Sequence, residues 1–363
     1  MSSSRTAAPV APLHPGSGLV ALLGRVPDPR DRRGVRHPLP VLLAVGVAAV
    51  LGGARSFLAI GEWVAGTSLQ MLGELGASRP TRPSESAIRR AFTRVDPDVL
   101  DAVIGGFCWT RTQVLDGLRV IALDGKTVSG ARTPTGVAPH LIAAFDHTAR
   151  TVLGQVATVA KSNEIPTVRD LLGLFDLQDV VLTVDATHTQ SDTAELIAAG
   201  GGDYVFTVKS NQPNLHAACK NLPWARVTSH TALSTTHGRR ARRTIKVVAA
   251  PARVTFAHAT QIAQIHRTTT RAGRRSVEVV HIVTSADHIT APPATLASWV
   301  RRHWVRDVTF DEDRSQVRTG NAPRVMATLR STAISLLRLA GWTTIAAALR
   351  HHAAAPTRPS HSC

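Results

Sequence analysis

Acidic residues are missing from one long block of this chain. Between Tyr204 and Val277 there is no Asp or Glu, yet there are 13 Lys or Arg residues. That block can supply 13 of the 17 formal positive charges. Soluble surfaces usually intersperse both signs, so a one-signed block points to a polyanionic partner, nucleic acid before membrane. Cysteine is also scarce. Cys108, Cys219 and Cys363 are scattered without metal-ligand spacing, which argues against a disulfide framework and fits a reduced, cytoplasmic setting. No apolar run reaches membrane-spanning length. The longest candidate, Leu39–Ala54, is sixteen residues with three glycines, too short to cross a bilayer comfortably, and it reads as a buried core helix. The first twenty residues lack a signal-peptide layout.

What is present divides by period. Residues 1–18, rich in Ser, Pro and Ala, read as a disordered N-terminus. Helical spacing follows over 19–112: a short helix at Leu19–Leu23, the apolar helix after Pro38 or Pro40, Ser56–Val64, Glu85–Val95 capped by Ser84, and Asp98–Trp109. From Leu118 the pattern turns to strands. Val120–Leu123 is a short apolar run of the kind buried on both faces of a sheet, with Asp124 at its end and Gly125 turning the chain. Leu141–Asp146 and Val152–Val159 suit a hairpin, Thr167–Leu174 a helix, Val180–Val184 a second buried strand ending at Asp185, Gln190–Ala199 a helix, and Tyr204–Val208 a strand. This alternation predicts an α/β sheet over 113–215. The basic block, 216–292, alternates β-rich runs (Thr244–Ala249, Gln261–Thr268, Ser276–Thr284) with basic turns and reads as an antiparallel insertion. Helices return over 293–350 at Thr295–Trp304 and Val325–Leu339, before a disordered tail, 351–363.

Asp124 and Asp185 each stand at the end of a buried strand about sixty residues apart. Alone, either would be read as a turn or helix-cap residue. Together, in a strongly basic chain, they suggest a divalent-metal site acting on nucleic acid.

Several segments, in order, carry a resemblance. They are Asp28-Pro29-Arg30 with Gly34-Val35-Arg36-His37, Ala54-Arg55-Ser56-Phe57 with Glu62-Trp63, and Pro83 through Arg90. Leu123-Asp124-Gly125-Lys126, Lys161-Ser162-Asn163-Glu164 and Asp185-Ala186-Thr187-His188-Thr189-Gln190 follow. Lys209-Ser210-Asn211-Gln212 and Asp307-Val308-Thr309-Phe310 through Arg318-Thr319-Gly320-Asn321-Ala322-Pro323 complete the set. Over residues 18 to 350 the chain resembles the DDE transposases of bacterial insertion sequences, in the ISAs-type branch. The resemblance implies a ribonuclease-H-like mixed sheet with a β-rich insertion, preceded by an all-helical transposase-associated domain. It implies cleavage of element ends and their transfer to target DNA, with three carboxylates holding two Mg²⁺ (or Mn²⁺) ions. Asp124 and Asp185 take the first two positions by this likeness. The implied partners are double-stranded DNA, as terminal repeats and target, and a second copy of the chain in a homodimer on paired ends. Lys126, Lys209, Arg239, Arg240, Arg242, Arg243 and Arg318 are the expected DNA-contacting cations. His188 is read either as lying near the metals or as a surface His, the plainer reading. Glu164 is either a site residue or a carboxylate at a helix N-terminus.

The third carboxylate is where the chain departs from the pattern. Family members carry His-Trp, a short helical stretch containing Ile-Glu-Asn, a second His-Trp, and then the Asp-Val-Thr-Phe segment. Here His303-Trp304 runs straight into Val305-Arg306-Asp307-Val308. A loss on the order of eight helical residues removes about 12 Å of length and shifts the phase by about 80°. Glu312, between Asp311 and Asp313, is the nearest substitute, although its surroundings read as a solvated loop. Ala241 stands in the basic segment where the family often has Glu. The expectation is a transposase impaired by this loss. The alternatives are a catalytically inactive DNA-binding remnant, a plain nucleic-acid binder and a ribonuclease-H-like nuclease. The last requires a complete acidic set, which the sequence lacks.

Overall fold

The computed structural model describes residues 17–112, 117–127, 140–158, 164–236, 239–271, 274–300 and 317–354. The N-terminal third is helical: α1 (Ser17–Leu23), α2 (Leu39–Leu51), α3 (Phe57–Gly66), α4 (Leu69–Glu74), α5 (Glu85–Phe92) and α6 (Pro97–Arg111). Short polar residues start four of these helices. Ser56, Ser68 and Ser84 accept the amides of Ala59, Met71 and Ala87, each at 3.2 Å, and Asp96 accepts those of Asp98 and Val99. Each satisfies an N–H that the first turn leaves without a carbonyl partner. The α2 helix is apolar almost all round and buried as expected. A Cβ on Gly46 would come within 2.8 Å of Phe92 and 2.9 Å of Leu329, so α2 lies tightly against α5 and against α11 (Ala322–Leu339), a helix from far along the chain.

Among the described residues, nine strands make one mixed sheet: β1 (Arg119–Thr127), β2 (His140–Asp146), β3 (Val152–Thr158), β4 (Val180–Val184), β5 (Asp203–Val208), β6 (Ser229–Thr236), β7 (Arg239–Ala249), β8 (Gln261–Arg271) and β9 (Arg274–Thr284). Their order across the sheet is β3-β2-β1-β4-β5-β9-β8-β7-β6. The ladders β1–β4 and β4–β5 are parallel, and the rest are antiparallel. The first five strands form the ribonuclease-H-like arrangement that the resemblance implied. The basic stretch continues that same sheet, hydrogen-bonded to β5 through β9. The remaining helices are α7 (Glu164–Leu172), α8 (Ser191–Ala199), α9 (Pro213–Lys220), α10 (Pro293–Trp299), α11 and α12 (Ile345–Ala354).

Strand alternation separates two cores. On one face Ile121, Leu123, Leu182, Val184, Phe206 and Val283 merge with the apolar interior of the helical region. On the other, Val120, Val181, Val205, Ile245, Ala263 and Ile282 pack under Leu296 and Trp299 of α10.

Several expectations need correction. The β1 strand does not stop at Asp124. Gly125, Lys126 and Thr127 stay in the strand, opposite Ile142, Leu141 and His140, because the antiparallel partner β2 extends further than the parallel partner β4. Glu85–Val95 is helical only to Phe92, and α7 starts earlier than expected, at Glu164. The elements α4, α9, β6 and α12 were not foreseen. The α4 and α9 helices are short and bury only one and two apolar side chains, α12 sets Ile345, Ala348 and Leu349 at helical spacing, and β6 exposes Leu233 (78 %) in place of a buried stripe. The expected disordered ends lie largely outside the described residues, as does Trp304.

The helical region is fused to the sheet, partly through a buried polar knot. Gln155 on β3 donates its side-chain amide to Asp101 Oδ1 (2.9 Å) and Thr328 Oγ1 (3.0 Å), and Thr328 on α11 donates to the same Asp101 oxygen (2.6 Å). Arg324 pairs with Asp98 and stands 4.0 Å from Asp101 Oδ2. At Gly105 the backbones of α6 and β3 meet so closely that a Cβ would lie 2.1 Å from the Leu153 carbonyl. Arg119 ties β1 to the end of α6. Its guanidinium lies 3.9 Å from the Trp109 ring centroid and donates to Thr112 Oγ1 at 2.7 Å.

Burial pushes the Asp101 carboxyl up to about 7. The folded chain therefore binds this proton more tightly than the unfolded chain, and the associated stability is full in acid and lost as pH rises through about 7. Wild-type protein is expected to lose about 2 kcal/mol between roughly pH 5.5 and 8.5 that Asp101→Asn does not lose. Parallel urea titrations of the two proteins at both pH values measure this difference.

Candidate active site

The parallel ladder of β1 and β4 pairs Arg119 with Val180 and continues in step to Leu123 opposite Val184. The next residues are Asp124 and Asp185. Adjacent parallel strands run about 4.8 Å apart, so their α-carbons stand about one strand spacing from each other. Ile121, Leu123, Leu182 and Val184 belong to one core and Val120 and Val181 to the other. The same alternation carries both aspartates to the face of Val120 and Val181. Asp185 keeps extended backbone (φ −76°, ψ 166°) and then leads into a 3-10 turn, Ala186–His188. Asp124 remains in β1. Both are exposed at the carboxyl ends of the buried stretches.

A third group joins them from the next parallel strand. β5 ends at Val208, and Lys209 places its Nζ 3.0 Å from Asp185 Oδ1 and 3.5 Å from Oδ2. The ends of β1, β4 and β5 thus supply Asp124, Asp185 and Lys209, at the strand ends where open α/β sheets present ligand sites.

The loops bearing these residues are pinned to each other. Asn211 donates its side-chain amide to the Ala186 carbonyl (2.7 Å), and Gln212 to the Thr189 carbonyl (2.9 Å). The Thr189 hydroxyl donates to the Thr207 carbonyl at 2.7 Å, and the Gln212 amide closes a turn onto Lys209 O at 3.0 Å. The motifs Asp185–Gln190 and Lys209–Gln212 are visible in the sequence, but not that one clamps the other. Behind Asp185, Thr183 is buried and contacts His147 Nε2 at 3.1 Å. His188 is buried (4 %), contrary to the surface position expected of it. It closes the 3-10 turn that follows Asp185.

Other expected residues lie elsewhere. Arg242 and Arg243 are on β7, five strands from β1 in the sheet, about 24 Å at the usual strand spacing. Arg242 is exposed and Arg243, on the opposite face, is half-buried. Arg318 is exposed just before α11, where Asn321 bonds to the Thr93 and Val95 carbonyls near the end of α5. The side chains of Lys126, Glu164, Arg239 and Arg240, and the whole of Glu312, lie outside the described residues. A cleft of about 830 Å³ opens on the face of Val120, lined by Leu118, His147, Thr295 and Trp299. It sits near the opposite end of β1 from Asp124 and is not the site.

The donor set suits a hard dication: carboxylate oxygens open to water, of the kind that hold Mg²⁺ with substrate phosphate oxygens. The Lys209 ammonium already places a cation against Asp185. Among the described residues, no cluster of three or more His, Cys, Asp or Glu side chains forms a metal site.

Two aspartates at the ends of neighbouring parallel strands are an arrangement that can hold a divalent cation. Residues 20–108 match the family described as DDE_Tnp_1-associated, and residues 116–336 match the family described as Transposase DDE domain. The chain belongs to the DDE transposase family. It is 29% identical over 342 residues to a protein named putative transposase YncI of Escherichia coli O157:H7, covering 88% of this chain and 87% of that protein. It is 30% identical over 335 residues to the H repeat-associated putative transposase YhhI of Escherichia coli K12, covering 86% and 88%. A cryo-EM structure of a piggyBac transposase synaptic complex with hairpin DNA aligns with a TM-score of 0.46 at 10% identity, over 93% of this chain and 77% of that one. No helix among the described residues is long and apolar enough to cross a membrane.

The clamp generates a stability prediction. Asn211→Ala removes the side-chain donor to the Ala186 carbonyl, which keeps the Thr189 amide at 3.2 Å, and is expected to cost about 1 kcal/mol in urea unfolding while leaving the far-ultraviolet spectrum unchanged.

Proposed function

We propose that Asp124 and Asp185 are the two metal-holding carboxylates of an insertion-sequence transposase that acts on the DNA ends of its own element. The observation that supports this reading is the ladder register, which brings Leu123 opposite Val184 so that the next residues, Asp124 and Asp185, follow at neighbouring strand ends. Bound Mg²⁺ or Mn²⁺ would activate water or a 3′-hydroxyl and stabilise the leaving oxygen at a phosphodiester. Asp124 and Asp185 would hold the cation, and the exposed strand ends leave it reachable by a duplex. Lys209 at the site and Arg318 beside the helical region are the exposed cations offered to the duplex, while Arg242 on the outer part of the sheet lies on the face opposite the aspartates. A homodimer on paired ends is the assembly this reading requires. Cleavage is weak, because His303-Trp304 runs directly into Val305 where the family pattern carries its third carboxylate. Glu312 is the substitute nearest in sequence.

The test uses purified full-length chain and duplex DNA bearing the inverted repeats that flank its gene. Mn²⁺ binding, read by electron paramagnetic resonance, should weaken at least tenfold in Asp124→Asn and in Asp185→Asn. Unchanged binding in both would overturn the assignment. Duplex affinity should fall on the order of a thousandfold between roughly 50 and 200 mM salt, and a flat response would remove DNA as the partner. Mn²⁺-dependent nicking lost in Glu312→Gln would assign the third carboxylate to Glu312. Binding without any nicking would define a DNA-binding remnant.

A further inference from the structure

We propose that Lys209 is a tethered counter-cation that competes with the metal for Asp185 until a DNA phosphate draws it away, so that metal loading is coupled to DNA binding. The inference rests on Asp124 and Asp185 being the metal carboxylates.

The argument begins with geometry. Lys209 Nζ addresses both oxygens of Asp185, at 3.0 and 3.5 Å, the edge a hard cation would use. Solvent-exposed ion pairs are ordinarily weak, because two long side chains must be held in one geometry against water. Here the backbone part of that cost is already met. Val208, immediately before Lys209, is buried, and Asn211 and Gln212, just after it, bond to the Ala186 and Thr189 carbonyls that follow Asp185. The two loops are therefore fixed to each other at both ends of the pair, and only the lysine side chain is free to move. Both side chains remain more than half exposed, 54% for Lys209 and 61% for Asp185. An incoming ion or phosphate can reach either of them.

Two cations cannot share one carboxylate edge without repulsion. A divalent ion arriving at Asp185 must displace the ammonium or sit against it, and a few ångströms from a dication even water screens the repulsion incompletely. Lysine suits the displaced role, being a compact charge on a flexible stem that binds phosphate as a point charge. DNA laid across the strand ends offers it that phosphate. With Lys209 on the backbone, the ammonium no longer opposes a metal at the Asp185 edge. By reciprocity, metal on Asp185 then raises the affinity for DNA by the same factor. The protein without DNA thus holds metal poorly, which keeps it from activating water when no element end is bound.

The experiment compares wild type, Lys209→Met and Lys209→Arg, each titrated with Mn²⁺ by electron paramagnetic resonance, with and without a 30-base-pair duplex. Lys209 makes no side-chain bond within the described structure except to Asp185, so the methionine variant retains the fold, and its thermal midpoint checks this. Without DNA, Lys209→Met should bind Mn²⁺ about tenfold more tightly than wild type, with Lys209→Arg close to wild type. Added duplex should tighten Mn²⁺ binding by wild type several-fold and leave the methionine variant nearly unmoved. Equal DNA-free affinities of wild type and Lys209→Met, or an equal response of both to duplex, would overturn the proposal. An Asp185→Asn control that binds Mn²⁺ as wild type does would instead show that the underlying assignment of the carboxylates is at fault.

Discussion

Everything at the candidate site depends on the step in which β1 and β4 are paired. Side chains alternate with a period of two, so a slip of one residue in this ladder would move a whole set of side chains to the wrong face. Leu123 and Val184 are both fully buried in the core shared with the helical region. A slip would drive an aspartate into that core in place of an aliphatic residue, and burying an isolated carboxylate there is far more costly than losing a ladder hydrogen bond. The hydrophobic core therefore holds the acids in register without touching them. Position at the site is set by Ile121, Leu123, Leu182 and Val184 rather than by the charged residues themselves.

Much of this was legible in the sequence. Continuous apolar runs at Val120–Leu123 and Val180–Val184 mark strands buried on both faces, and the acid at the end of each run is conspicuous. The serine cap at Ser84 can be read directly, because a short side chain before an apolar periodic stretch has few other uses, whereas Ser56, expected inside its helix, caps it instead. Other features are invisible to a local reading. That β1 runs on past Asp124 depends on how far β2 reaches, which is a property of the partner strand. Lys209 lies 24 residues beyond Asp185 in sequence and meets it only because β4 and β5 are parallel neighbours. His188 reads as a surface residue by composition, yet the turn after Asp185 folds it inward.

The basic block illustrates a further limit. Charge counting finds it easily and is silent about direction. Strand pairing sends Arg242 and Arg243 to opposite faces of one strand, so adjacent arginines cannot serve one surface. The sheet then spaces this region about 24 Å from Asp124. A continuous basic sequence is divided between two faces, with Arg243 on the face that carries the aspartates and Arg242 on the other side of the sheet from them.

The long helix α11 carries a consequence for biosynthesis. It is buried along most of its length, packs on α2 and α5, bonds through Thr328 to Asp101, and receives the Val152 amide on Ser335 Oγ at 3.0 Å. It is also made long after its partners. At about 5–20 residues per second, the ribosome needs on the order of tens of seconds to pass from α6 to α11. Over that interval the apolar surfaces that later close around α11 stand open to water. Until α11 is made, the faces of α2, α5 and α6 that it covers have no partner to close on, and the native packing of the helical region waits on the last third of the chain.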